Sequence, residues 1–133
     1  MRLVKYIEWV VAVYAIAVGL MFLVDPSMLS AKVYDPWHRA GLPVWGTVLT
    51  ATSICHFAAL LLNGHNIKVS SAIRLMAIIL HMFVSVKFAV FFWESHALWG
   101  TLTFAILVPG ILFPVFQTVF HNARNIIHGT RIP

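Results

Sequence analysis

Charge is what this sequence has least of. Aspartate and glutamate together number four in 133 residues, and all charged residues make up only 10% of the chain. A soluble domain carries about 25%, so this composition cannot build a water-facing surface of ordinary polarity. Cysteine is nearly missing as well. The single Cys55 excludes an internal disulfide and leaves the redox compartment unread; inside an apolar run it reads as a small buried residue. There is no glycine-rich phosphate loop, no nucleophile elbow and no carboxylate pair at acid–base spacing. No enzyme is therefore expected and no catalytic residue is assigned. Internal repeats and low-complexity tracts are also absent.

Hydrophobic residues fill the space left, at 61% of the chain. They fall into four runs, predicted as helices over 6–24, 44–62, 72–93 and 98–120. Each is about long enough to cross a hydrocarbon core of roughly 30 Å at 1.5 Å per residue. The expected fold is all-α: one polytopic membrane domain, residues 1–133, with four transmembrane helices in a compact bundle. The first run follows Arg2 and Lys5, as a signal peptide would, but it is long for one and lacks a good small-residue cleavage site. A retained first helix is the better reading. Asp25-Pro26 ends it, because proline disfavours helical geometry in the residue before it.

The connection 25–43 holds Tyr34, Trp37, His38 and Arg39 among the prolines Pro36 and Pro43, the composition of an interfacial loop or short surface helix. The turn at 63–71 opens with Asn63-Gly64-His65-Asn66, strong breaker chemistry, and Ser70 or Ser71 can cap the helix after it. Pro109, Gly110 and Pro114 predict a kink in the fourth helix. The tail 121–133 is basic and polar, and Ile126-Ile127 suggests that the helix runs on along the interface.

The net charge of +5 would suggest nucleic acid in a soluble protein. Here the cations read through topology instead, and no nucleic-acid partner is expected. Four spans put both ends and the 63–71 turn on one side, with Arg2, Lys5, Lys68, Arg74, Arg124 and Arg131. The other side has Lys32 and Arg39, beside Asp25, Asp35 and Glu94. By the positive-inside rule both termini are cytoplasmic.

Within the spans, the second helix is rich in small and polar residues. Gly46, Thr52, His56, Ala59 and Asn63 form its candidate packing face, since small residues let a second backbone approach closely. Ionisable groups at membrane depth are costly and default to functional hypotheses; here they are Glu8, His56, His81 and Lys87. Glu8 is near enough to an interface to reach headgroups, and Lys87 can snorkel outward or pair with Asp25 or Glu94. Arg74, His81 and Ser85 share a face of the third helix.

His56 and His81 on adjacent antiparallel helices invite an alternative in which they bind haem b as axial ligands. Counting from the middle of the turn disfavours it. His56 lies about ten residues before that point and His81 about fifteen after, a depth mismatch of roughly 7 Å. A proton or ion path through the same histidines is a further alternative. No metal site is expected, because the seven histidines are scattered and no thiol or carboxylate stands at ligand spacing to them.

Three short motifs, Pro43-Val44-Trp45-Gly46, Ala58-Ala59-Leu60-Leu61-Leu62-Asn63-Gly64 and Ser71-Ala72-Ile73-Arg74, resemble a family of small membrane proteins encoded in tailed-bacteriophage genomes. Tyr34-Asp35-Pro36 and the pair Asn122 and Arg124 are similar to its preceding loop and its tail, so the likeness covers about 34–125. It departs near His56, where the family tends to carry an arginine before the Ala-Leu pair. The resemblance implies a setting, the host inner membrane, and no established activity. The expected function is non-enzymatic and works through assembly in that membrane: a holin-like, lysis-associated homo-oligomer, or a modulator of a host membrane protein. A small accessory subunit of a larger membrane complex is a third possibility.

Overall fold

The computed structural model describes residues 2–62, 65 and 67–127, and among these every regular element is helical. Helix α1 spans Arg2–Val24. Two 3₁₀ turns, Pro26–Leu29 and Lys32–Tyr34, and the short helix α2, Asp35–Arg39, make the connection to α3, Leu42–Leu62. Helix α4 runs from Ile67 to Glu94. The last span is built from α5, Leu98–Leu102, a π-helical turn, Thr103–Leu107, and α6, Val108–Ile127. Four of these stretches are long and apolar enough to cross a membrane: Leu3–Val24, Leu42–Leu62, Ile67–Glu94 and Leu98–Ile126. The protein is an all-α integral membrane protein of four spans.

Neighbours in sequence are neighbours in space. α1 packs along α3, α3 on α4 and α4 on α6, while α1 and α6 touch only sparingly. The closest approach joins α1 to α3. A Cβ on Gly19 would collide with Thr50 Oγ1 and lie 2.8 Å from the Thr50 nitrogen, and one on Gly46 would lie 2.9 Å from Phe22 Cβ. Ala12, Ala15 and Gly19 prepare this seam from α1, at spacings of three and four residues, and all three are buried. Opposite them α3 buries Leu42, Gly46, Leu49, Ser53, His56 and Ala59, a stripe of similar spacing that faces the bundle.

Helix α4 is the central element. Its 28 residues span roughly 42 Å at the α-helical rise, more than the hydrocarbon core, and it packs on both α3 and the last span. It begins at Ile67, so Ser70 and Ser71 lie inside its first turns and not at a cap; Ser70 Oγ donates across the hairpin to the Ala59 carbonyl at 2.7 Å.

The π turn has a sequence cause. The Val108 N–H reaches back five residues to the Thr103 carbonyl. In that register the next donor belongs to Pro109, which has no N–H, and the Phe104 carbonyl is left without its helical partner. Ser85 of α4 supplies the replacement, its hydroxyl donating to that carbonyl at 2.6 Å. Pro114 lies inside α6, and the helix continues past 120 to Ile127.

The 25–43 connection is more than a surface segment. Asp25 accepts hydrogen bonds from the Ser27 amide and hydroxyl, His38 bonds the Leu29 carbonyl at 2.9 Å, and Ser95 Oγ donates to the Val33 carbonyl at 2.6 Å. These bonds seat Trp37 in the bundle mouth, 1% exposed, with its ring 5.7 Å from Phe88, 5.1 Å from Phe91 and 4.5 Å from Phe92. One end of the bundle is thereby stopped by aromatic rings. Arg39 and Glu94 make an exposed ion pair at 3.4 Å on its rim.

Candidate functional site: a buried polar layer

The other half of the bundle holds the polar side chains. Glu8 is the seventh residue of α1 and Arg74 the eighth of α4, so two parallel spans carry opposite charges to nearly the same depth. Arg74 Nη2 donates to Glu8 Oε1 at 2.8 Å and Nε to Oε2 at 3.0 Å, the two-pronged geometry that suits guanidinium to carboxylate. Glu8 is 1% exposed and Arg74 7%. Removing either partner from such a pair strands a buried charge, whereas the intact pair roughly offsets its own desolvation. Its clearest consequence is positional: it ties α1 to α4 at the end of the bundle opposite the contact between Phe22 and Phe88, whose ring centres are 5.8 Å apart.

Glu8 therefore does not reach headgroups, as its place near the start of the first helix suggested. Arg74, counted among the topology cations, is its partner. Lys87 is exposed, as an outward-reaching lysine would be, with its ammonium 5.8 Å from the Phe83 ring centre; the carboxylates offered as its partners are engaged elsewhere, Glu94 with Arg39 and Asp25 with Ser27. Of the four ionisable groups singled out in the spans, only Glu8, His56 and His81 belong to the buried layer.

His56 and His81 do meet. Their ring centres are 5.6 Å apart and the planes are inclined at 39°. Counting residues from the turn misplaced the rings, because side chains lean towards the N-terminus of their helix, and on the antiparallel α3 and α4 that brings His56 and His81 towards each other. Among the described residues, neither ring nitrogen of His56 nor Nε2 of His81 finds a hydrogen-bond partner. A haem does not fit here. The rings lie between directly packed helices, and the adjoining cavity of about 160 Å³ is well below the roughly 300 Å³ at which pockets for drug-sized ligands begin. Among the described residues no three His, Cys, Asp or Glu side chains gather as metal ligands.

The candidate packing face divides. Gly46, His56 and Ala59 are buried, Thr52 is only half-buried, and Asn63 lies outside the described residues. Ser53, fully buried, takes the place in the stripe that Thr52 was assigned, its hydroxyl bonded to the Leu49 carbonyl of its own helix at 2.6 Å. Cys55 is exposed on the outer surface of α3 and not in the core.

No family model, no curated protein and no solved structure matches the chain significantly.

The layer ends blindly. Beyond His81 towards the other face, α4 presents Val84, Ser85, already committed to Phe104, and then Phe88 under Trp37. Chemically the arrangement offers a closed ion pair and three imidazole nitrogens without a hydrogen-bond partner among the described residues, on one side of an aromatic stop.

Proposed function

We propose that the chain is a non-enzymatic protein of a bacterial inner membrane that works by lateral association with another membrane protein. Its setting is that implied by the phage-type motifs, and both termini face the cytoplasm. The observation that carries this reading is where the polar groups go. The charged side chains of the inner layer are turned towards one another and its serine hydroxyls towards backbone carbonyls, all inside a single chain, and the Trp37 cluster interrupts the route onward. That arrangement suits a self-contained bundle better than an ion or proton path. The outer faces of α1 and the last span are left apolar, and the last span is the least covered of the four.

A holin-like homo-oligomer is the less favoured form of the same idea. It would draw on small-residue faces, and those of α1 and α3 are already packed on each other at Gly19 and Gly46. An accessory subunit of a larger complex remains within the favoured form.

The test is site-specific photo-crosslinking in cells, with benzoyl-phenylalanine at Ile106, Phe113 or Phe120 of the last span and at Val48 or Ile54 of α3 as controls; all five are exposed. A discrete adduct with a different protein, formed from the last span and not from α3, is the expected result. Adducts at multiples of the chain's own mass with loss of membrane potential would favour the holin-like form. Absence of any adduct, with membrane potential intact, would overturn the assembly reading.

A further inference from the structure

The chain has only four carboxylate side chains, and all four have a definite place. Asp25, Asp35 and Glu94 are exposed at the Trp37 end of the bundle, with Lys32 and Arg39 among them. Glu8 is the fourth, and it is closed against Arg74. The end where α1 and α4 begin and α6 finishes therefore has no carboxylate side chain at its surface. It does have cations. Lys5 of α1, Lys68 of α4 and Arg124 of α6 are exposed there, and none of the three makes an ion pair among the described residues. Helix stability does not explain them, because Lys5 and Lys68 lie in the first turns of α1 and α4, where the helix dipole disfavours a cation.

What the three share is depth. Lys5 is three residues outside Glu8 and Lys68 six outside Arg74, about 4.5 and 9 Å along the helices from the ion pair. Val119 of α6 packs with Ile78 of α4 and Val4 of α1. Arg124 is about 7.5 Å beyond Val119, and Ile78 about 6 Å inside Arg74, so Arg124 comes out about 1.5 Å beyond the pair. The cations thus occupy a band roughly 8 Å deep, close to the headgroup layer of about 5–8 Å that each face of a bilayer adds to its hydrocarbon core. Phosphate is the anion at that depth, and in a zwitterionic lipid an ammonium of its own offsets it. A protein partner would have to reach this level on three helices at once, whereas lipid is already there. We infer that the end of the bundle formed by α1, α4 and α6 binds the headgroups of anionic phospholipids, with Lys5, Lys68 and Arg124 as the countercharges.

Native mass spectrometry of the full chain in detergent tests this, with phosphatidylglycerol and phosphatidylcholine of the same acyl chains as probes. Phosphatidylglycerol should bind at about tenfold lower concentration than phosphatidylcholine. Lys5→Gln, Lys68→Gln and Arg124→Gln should each weaken its binding about fivefold, the scale of one cation near a lipid surface. Lys32→Gln removes an exposed cation from the other end and should leave binding unchanged. Equal binding of the two lipids by the wild type overturns the proposal and leaves this end to an acidic protein surface. It is overturned equally if Lys32→Gln weakens binding as much as Lys68→Gln, which would make net charge the cause. Wild-type binding by the triple variant, with helical circular dichroism intact, would overturn it too. Displacement of the lipid by inorganic phosphate alone would overturn the lipid assignment in favour of a free anion. These outcomes do not depend on which protein the last span meets.

Discussion

Glu8 and Arg74 are 66 positions apart in sequence and joined by two hydrogen bonds in space. Theirs is the one ion pair among the described residues that is closed to solvent; the other, Arg39 with Glu94, lies on the exposed rim. Because the charges cannot be rehydrated in place, their loss should not be symmetrical. Replacing one partner, Glu8→Ala or Arg74→Ala, is expected to cost about 3–5 kcal/mol, whereas the double replacement Glu8→Leu with Arg74→Met should recover most of that loss. Unfolding by SDS in mixed micelles, followed by circular dichroism, measures all three. If the single variants unfold like the wild type, the pair does not hold α1 to α4.

The seam between α1 and α3 gives a second prediction with its control in the same chain. A methyl group at Gly19 would press on the Thr50 hydroxyl, which can rotate, and on the Thr50 backbone nitrogen at 2.8 Å and the Gly46 carbonyl at 3.1 Å, which cannot. Gly19→Ala should therefore destabilise by about 1–3 kcal/mol, the usual range for an overpacked core. Gly110→Ala meets nothing within 4 Å and should be neutral or slightly stabilising, since alanine is the better helix former. Equal effects at the two positions would mean that the close approach at Gly19 does not exist in the membrane.

Trp37 supplies a third. It seals the end of the bundle opposite the ion pair, and its indole is surrounded by Tyr34, Phe88, Phe91 and Phe92. Trp37→Ala should cost about 3–5 kcal/mol, as large-to-small changes in aromatic cores do. It should also raise proteolysis within 25–43, while leaving the helix content read by circular dichroism unchanged. A stability loss under about 1 kcal/mol would mean that the connection rests on the surface, as its composition alone suggests.

Why that composition misled, and why other features were plain, follows from what a linear pattern encodes. The four spans were legible because each is a long apolar run, and bilayer thickness translates directly into residue count. Their starts were less so: α1 opens at Arg2 and α4 at Ile67, because polar residues continue a helix beyond the hydrocarbon where no proline stops it. The partnership of Glu8 and Arg74 was available in principle, since two parallel spans carry opposite charges at matching depth. It was missed because each residue was read against the interface and not against the other. Gly19 was available too, at the end of an Ala12, Ala15, Gly19 series. The meeting of His56 with His81 was not read from the residue count, because a count gives backbone depth and leaves out the lean of each side chain towards its helix N-terminus. Nor could the sequence show that Cys55 and Thr52 point away from the packed stripe, since neighbouring residues on a small-residue helix differ in facing by only a rotation of about 100° each.

The last prediction concerns Ser85 and the π turn. Pro109 cannot donate to the Phe104 carbonyl in the register set by the bond from Val108 to Thr103, and Ser85 takes that acceptor at 2.6 Å. Ser85→Ala should leave a carbonyl without a donor at membrane depth and cost about 1–3 kcal/mol. Pro109→Ala restores an N–H, which can serve that carbonyl or return the turn to α-helical geometry, so the serine should then matter less. In a double-mutant cycle the penalty of Ser85→Ala is expected to fall by at least half in the Pro109→Ala background, a coupling expected of groups that share one acceptor. SDS unfolding of the four proteins measures it. Strict additivity would show that the hydroxyl and the proline act separately, and the π turn would then need a cause other than the missing donor.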